Sequence, residues 1–149
     1  MRGTETFFAS PEASDEAAEE LARAENAAFG TGAAKLAEND PVRAILGDLL
    51  ATQHLADSQA FARLAQRELA RGAARSRGVK QAPFVVLMGV RMPAVLVEVG
   101  FITNPEDEKA LRRSAERERI ASGLARAVAA FREQKDARAG LTAARGGER

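Results

Sequence analysis

A single carboxylate interrupts an apolar run near the middle of the chain. Five of the six residues in Ala94–Val99 (AVLVEV) are apolar, which is typical of a buried strand, and the sixth is Glu98. A buried carboxylate is costly unless it is paired, bound to a metal or protonated. Glu98 is therefore either a structural carboxylate paired with a Lys or Arg elsewhere, or a catalytic base. The second interpretation fits its place near a strand end, where open α/β sheets put their sites and where desolvation raises a carboxyl pKa.

Few other residues are candidates for chemistry. His54 is the only histidine and the chain has no cysteine, so it cannot supply a multi-histidine or thiolate zinc site. A lone histidine is typical of a surface or packing residue. Ser58 lacks the GxSxG context of a nucleophile and is interpreted as an ordinary helix serine. Arg75, Arg77 and Lys80 form a basic loop, which is interpreted as a solvated surface, with binding of an anionic polymer as the alternative.

The composition limits the classes of partner. The 149 residues suffice for one domain with a core, and the net charge of +1 gives no electrostatic case for nucleic acid or an anionic membrane. No stretch approaches the ~20 apolar residues of a membrane span. The N-terminal sequence MRGTETFFAS has no apolar segment typical of a secretory signal. We therefore expect either a cytoplasmic protein or part of a longer chain.

Apolar periodicity predicts an α/β domain with a few strands between helices. The predicted strands are Thr4–Ala9, Ala82–Met88 and Ala94–Val99, with Gly72–Gln81 as a loop.

Capping residues and apolar spacing predict four helices. The first is capped by Ser14; the second runs from Asp40 and Pro41 to about Arg71 or breaks near Asp57 and Ser58; the third is capped by Asn104; the fourth covers about Arg117–Gln134 and buries Ile120, Leu124, Val128 and Phe131. Residues 135–149 have little to bury, and we expect a disordered tail.

Several segments together resemble a known family. They are GTETFFAS and ASDEAAEELARAEN, then ILGDLL and DSQAFARLAQREL, then RGVKQAPFVVLMGVRMPAVLVEVGFITNPEDEKAL. Over about residues 3–131 the chain is similar to the zinc-dependent N-acetylmuramoyl-L-alanine amidases of bacterial cell walls. The resemblance implies a twisted mixed sheet flanked by helices. It also implies cleavage of the amide between N-acetylmuramic acid and the L-alanine of the stem peptide.

The resemblance also assigns a role to the buried carboxylate. In that family two histidines and a glutamate hold a zinc ion that activates water, and a further glutamate acts as a general acid/base. Glu98 matches that further glutamate, in the motif LVEVGF. The family's metal ligands precede the segment that this chain matches, and His54 matches neither histidine. We therefore expect residues 1–134 to be the C-terminal part of an amidase catalytic domain that lacks its N-terminal strands. We expect zinc in the complete domain and none bound by this chain.

The resemblance further implies peptidoglycan as partner and a periplasmic or cell-wall location. In the division-associated branch of the family, a helix in the place of residues 25–40 covers the zinc until a protein activator displaces it. The other interpretation of this segment is a plain connection, because it is short and interrupted by glycines. Two alternatives to the enzyme stay open. One is a catalytically dead module that binds peptidoglycan or an activator, and the other is an unrelated small α/β domain.

Overall fold

The computed structural model describes residues 1–28, 41–72, 75–88 and 90–140, and residues 41–53 by their backbone alone. The elements of the described part are β1 (Thr4–Ala9), α1 (Glu16–Ala27), α2 (Pro41–Ala70), β2 (Ser76–Ala82), a 3₁₀ turn (Val85–Leu87), β3 (Leu96–Glu98), α3 (Pro105–Arg112) and α4 (Ser114–Arg138).

The three strands form one mixed sheet in the order β2-β1-β3. Strand β1 lies in the centre, pairs with β2 in parallel and pairs with β3 antiparallel. Helices flank this sheet, so the predicted α/β class with a mixed sheet is confirmed. The predicted first strand, Thr4–Ala9, is also confirmed.

Successive residues of β1 point to opposite faces of the sheet. Phe7 packs against α1, where its ring meets Phe84 edge-on at 5.0 Å between ring centroids, with Ala18 and Ala22 in the same cluster. We call this side the α1 face. Thr6 hydrogen-bonds to Gln66 of α2 on the other side, which we call the α2 face. A second apolar cluster, including the stacked rings of Phe61 and Phe131, joins α2 to α4.

The predicted strand Ala82–Met88 is wrong, because the observed strand is Ser76–Ala82, which lies in the predicted loop except for its last residue. The segment that follows Ala82 leaves the sheet. Pro83 has no N–H group to donate to a neighbouring strand, and Val85–Leu87 form a 3₁₀ turn. The Asn26 side chain holds that turn by donating to the Pro83 carbonyl at 2.8 Å and accepting from the Val85 N–H at 2.7 Å. The third strand is shorter than predicted, covering Leu96–Glu98.

Helix α1 is capped one residue later than predicted. Asp15 is the N-cap, and its Oδ1 accepts from the Ala18 N–H at 2.8 Å. Ser14 binds β2 instead: its Oγ accepts from the Gln81 N–H at 2.7 Å, and its own N–H donates to the Gln81 carbonyl. The start of α1 is thereby fixed to the end of the sheet.

Helix α2 is continuous, so the predicted alternative of a break near Asp57 and Ser58 is wrong. Both polar residues have tertiary partners that satisfy them inside a helix. Lys135 Nζ donates to Asp57 Oδ2 at 2.6 Å, and Ser58 Oγ accepts from the Ala94 N–H at 2.9 Å.

The two C-terminal helices are present as predicted, but the fourth has other bounds and buries a different face. Asn104 caps α3 as predicted, accepting from the N–H groups of the residues two and three positions on. Helix α4 continues to Arg138, beyond the predicted end at Gln134. Val128 was predicted to be buried and is 54% exposed, because Gly123 and Ala127 face α2 instead. Residues 141–149 of the expected tail lie outside the described residues.

Candidate active site

Glu98 is the last residue of β3, directly opposite Glu5 of β1. Side chains of residues directly opposite each other in an antiparallel pair lie on the same face of the sheet. The next pair on the same face, Leu96 and Phe7, packs in the apolar cluster beside α1. Glu98 and Glu5 therefore both lie on the α1 face, with apolar packing on one side of them.

The Glu98 carboxyl is half-buried, and its pKa is raised. Burial is the main cause, because it removes water that would stabilise the charged form, and the negative charges of Glu25 and Glu5 add to it. Within the described ranges no Lys or Arg pairs with Glu98, and the two neighbouring charges that shift its pKa are both negative. The described residues thus give the structural interpretation of Glu98 no ion-pair partner.

Glu5 is the carboxylate that sequence reasoning missed. It is 2% exposed, and its Oε2 accepts from Arg77 Nε at 3.0 Å and lies 3.1 Å from Lys80 Nζ. Lys80 also lies 3.2 Å from an oxygen of Asp15. The alternation in TETFFA was the available signal, since it puts Glu5 on the same face as the core residue Phe7.

The interpretation of the basic segment as a solvated loop is wrong for two of its three residues. Arg77 and Lys80 belong to β2 and are mostly buried against Glu5, because a buried carboxylate requires a nearby cation. The Arg77 guanidinium also lies over the Phe101 ring at 5.6 Å from its centroid. Arg75, just before the strand, is exposed as predicted.

The chain leaving β3 is fixed by a carboxylate of α3. Asp107 Oδ2 accepts from the Gly3 N–H at 2.8 Å and from the Phe101 N–H at 3.1 Å. One atom therefore joins the residue before β1 to the loop that follows Glu98. This clamp limits movement at the end of a strand only three residues long.

Helix α1 brings Glu25 towards the site. Glu25 lies in the last turn of α1 and is exposed, and its charge acts on Glu98. The next residue, Asn26, anchors this end of the helix to Pro83 and Val85. Most of the segment 25–40, for which a zinc-covering helix was the alternative to a plain connection, lies outside the described residues.

His54 and Ser58 both lie on α2, which packs on the α2 face. Ser58 serves the packing of the helix against Ala94, as expected for an ordinary helix serine.

The described residues do not fit the zinc site that the resemblance implies. In those residues, no group of three or more His, Cys, Asp or Glu side chains could hold a metal ion. The sequence contains one histidine and no cysteine, whereas the implied site needs two histidines. In the same part of the chain, no helix is both long and apolar enough to cross a membrane.

Comparisons with known proteins give one consistent result. A family model described as N-acetylmuramoyl-L-alanine amidase matches residues 1–130. The amidase AmiA of Escherichia coli is 48% identical over 56 residues, and the amidase AmiC of Neisseria meningitidis is 33% identical over 129 residues, or 85% of this chain. The crystal structure of an N-acetylmuramoyl-L-alanine amidase from Clostridium difficile 630 shares the fold, with a TM-score of 0.58 over 91% of this chain at 20% identity.

The matches cover only part of each relative. They span 19% of the length of AmiA, 31% of AmiC and 50% of the Clostridium difficile chain. The chain therefore spans half or less of the length of each of these three proteins.

Proposed function

Because the chain belongs to the N-acetylmuramoyl-L-alanine amidase family, we propose that Glu98 is the general acid/base residue of peptidoglycan amide hydrolysis. The bond is the amide between N-acetylmuramic acid and the L-alanine of the stem peptide. The observation that carries this proposal is the half-buried Glu98 carboxyl at the end of β3, which has a raised pKa and no cation beside it among the described residues.

The environment of Glu98 suits proton transfer. A carboxylate that resists ionisation is a stronger base than a solvated one, and partial exposure lets water and substrate reach it. In hydrolysis Glu98 would take a proton from the attacking water and return it to the leaving amide nitrogen. Glu5 lies opposite Glu98 in the sheet, and Asp107 hydrogen-bonds to the loop that follows β3.

Zinc belongs to the complete family domain by resemblance, and the residues described in this chain do not form its site. No step above depends on it. The substrate places the activity in the periplasm or cell wall, since peptidoglycan is found there. A protein activator stays a prediction, because residues 29–40 are not among the described ones.

The first experiment tests the chain by itself. With one histidine, it is expected to release no stem peptide from purified peptidoglycan, with or without added zinc. Release would be followed by chromatography of the soluble products. Zinc-dependent release by the isolated chain would show that ligands suffice within these 149 residues.

The second experiment tests Glu98 in a complete catalytic domain. Residues 1–130 would replace the matching part of the Neisseria meningitidis relative, and the hybrid with Glu98 intact gives the reference rate. Glu98→Gln keeps the size of the side chain but cannot accept a proton, so kcat should fall by about 10²- to 10⁴-fold. Zinc content and Tm should stay near the reference values.

Glu20→Gln is the matched control, since Glu20 is an exposed glutamate of α1 that does not contribute to the raised pKa of Glu98. Its rate should equal that of the reference hybrid. If Glu98→Gln turns over at that rate too, the catalytic assignment is lost.

A non-catalytic module that binds peptidoglycan is the second candidate. The observation in its favour is the poor fit of the described residues to a zinc site. Co-sedimentation of the chain with insoluble peptidoglycan, combined with an inactive reference hybrid, would favour this candidate over the enzyme.

A further inference from the structure

A bulge in β2 breaks the regular pairing with β1. Thr4 pairs with Ser76 and Thr6 pairs with Val79, so β2 advances three residues where β1 advances two. Gly78 lies inside the bulge with φ +90°, a conformation that glycine adopts without strain. Nothing lies within 4 Å of the position that a Cβ would take there. The extra residue is thus accommodated by backbone geometry and not by packing.

The bulge changes which side chains of β2 share a face. In a regular strand, residues three apart point to opposite faces. Here Arg77 and Lys80 both reach the same oxygen of Glu5, at 3.0 and 3.1 Å. Two cations are thereby brought to the α1 face, next to the strand that carries Glu5 opposite Glu98.

We propose that Glu5, clamped by Arg77 and Lys80, is a positioning residue for Glu98, because it fixes a charge-balanced carboxylate directly opposite the acid/base group. Glu5 acts through Glu98 and need not touch substrate. The inference rests on the proposed function for its meaning in catalysis, but the electrostatic coupling can be measured without any activity.

The charges around Glu98 come from three elements. Glu5 faces it from β1, and Glu25 acts on it from α1. Arg77 and Lys80 of β2 act through their pairing with Glu5, and Lys80 also pairs with Asp15 at the start of α1. The proton affinity of Glu98 therefore depends on the charge of Glu25 and on the balance between the buried Glu5 anion and the two cations that pair with it.

This balance of charges predicts that two substitutions shift the pKa of Glu98 in opposite directions. Replacing Glu5 by the isosteric Gln leaves two cations without their anion, which favours ionised Glu98 and lowers its pKa. Replacing Lys80 by Met keeps most of the apolar stem but removes one cation. Glu5 then carries more uncompensated charge, so Glu98 holds its proton more tightly. A purely structural role would move both variants the same way, towards the value of a solvated glutamate.

The experiment is an NMR titration of the full chain with ¹³C-labelled glutamate carboxyls, in which the Glu98 signal is assigned by its loss in Glu98→Gln. We expect the midpoint of Glu98 to fall in Glu5→Gln and to rise in Lys80→Met. Glu20→Gln removes an equal charge elsewhere on α1 and should leave the midpoint where it is. Circular dichroism checks that each variant is folded.

Opposite shifts support the positioning role. An unchanged midpoint in Glu5→Gln, or shifts of the same sign in the two variants, overturns it. If Glu5→Gln does not fold, the sign of the shift in Lys80→Met decides. The two proposals fail separately: a hybrid that tolerates Glu98→Gln removes the catalytic role and leaves the coupling, whereas an unchanged midpoint removes the coupling and leaves the catalytic role.

Discussion

Polar side chains on the two faces of β1 differ in how completely they are buried and paired. On the α2 face, Thr4 and Thr6 are fully buried and meet the amide of Gln66. On the α1 face, Glu5 is equally buried and is paired, but its neighbour Glu98 is only half-buried and has no cation among the described residues. The same strand thus supports a closed polar network on one side and an unbalanced carboxylate on the other.

The network on the α2 face is complete. Gln66 Oε1 accepts from the Thr6 hydroxyl at 2.8 Å, and Gln66 Nε2 donates to the Thr4 carbonyl at 2.9 Å and to Ser76 Oγ at 2.8 Å. One amide therefore joins α2, β1 and β2. Such a network fixes register and position, and it leaves no group free to exchange a proton.

On the α1 face, no cation among the described residues pairs with the Glu98 carboxyl. Burial and two neighbouring carboxylates raise the pKa of Glu98, so its ionised form is costly. Perturbed groups of this kind are concentrated at functional sites, although structural charge networks perturb pKa values too. We therefore propose a structural role for the α2 face and a chemical role for the α1 face, and this division can be tested.

The largest effect on stability is expected from Gln66→Leu. The leucine removes both hydrogen-bonding functions of the amide, so the buried Thr6 hydroxyl and the Thr4 carbonyl both lose the bonds they make to it. The free energy of unfolding should fall by about 3 kcal/mol, because each stranded group costs about 1–3 kcal/mol. Urea unfolding followed by circular dichroism measures this loss.

The double variant Gln66→Leu/Thr6→Val tests the network itself. Thr6→Val removes the stranded hydroxyl, so the two changes together should cost less than the sum of the single ones. The Glu98 midpoint should be unaffected by either change. Additive costs, or a shifted midpoint, would mean that the two faces are not independent.

A smaller effect is expected from Gly78→Ala, which acts on the α1 face through the bulge. A Cβ meets nothing there, so the cost is backbone strain of about 1–2 kcal/mol. Gly140→Ala is the matched control, because Gly140 also has positive φ (+71°) and open space but lies beyond α4. The two variants should lose similar stability in urea.

Only Gly78→Ala should also shift the midpoint of Glu98, since a relaxed bulge would turn Arg77 or Lys80 away from Glu5. If Glu98 has the same titration midpoint in both glycine variants, the bulge does not control the electrostatics of the α1 face.

The bulged strand also shows where sequence reasoning fails. Ser76–Ala82 contains two cations and a glycine, and all of it but Ala82 falls in the predicted loop, because apolar alternation is absent. An edge strand can be polar when a buried acid on the next strand pairs with its cations, as Glu5 does here. That acid is distant in sequence, so local patterns carry no sign of it.

The apolar run after that strand leads to the opposite error, because it is predicted to be a strand and is not one. PFVVLM has the composition of a buried strand, yet Pro83 and the side chain of Asn26 turn it into a 3₁₀ segment. By contrast, Thr4–Ala9 was predicted correctly because β-branched and aromatic residues stand in a short, bounded run. The caps of α3 were equally clear from Asn104 and Pro105, which act within one helical turn.

Only part of the candidate site can be identified from the sequence, for the same reason. Glu98 stands out in the sequence because a carboxylate in an apolar run is locally anomalous. The alternation in TETFFA places Glu5 on the same face as Phe7, but the burial of that face is established only by the pairing with β2 and β3. Its assignment required the register of the sheet, which depends on contacts across 72 residues of chain to Arg77.

The smallest expected effect is the contribution of Glu98 to stability, and its sign depends on pH. The pKa of Glu98 in the folded state lies above the value of about 4.5 for an unfolded chain, so the folded state binds this proton more tightly. The resulting stabilisation is fully present below the unfolded pKa and is lost as pH rises through the folded pKa. Glu98→Gln has no such proton to lose.

The variant should therefore gain stability over the parent chain as pH rises from about 4 to 7, by about 0.5 kcal/mol or less, because the carboxyl is half-exposed and solvent screens it. Urea unfolding of both proteins across this range gives the difference directly. Asp15 and Glu116 have lowered pKa values and act in the opposite direction, but they are common to both proteins and cancel. A variant that loses about 3 kcal/mol or more at pH 7 would instead mean that Glu98 belongs to a buried ion pair, and the division between the two faces would fail.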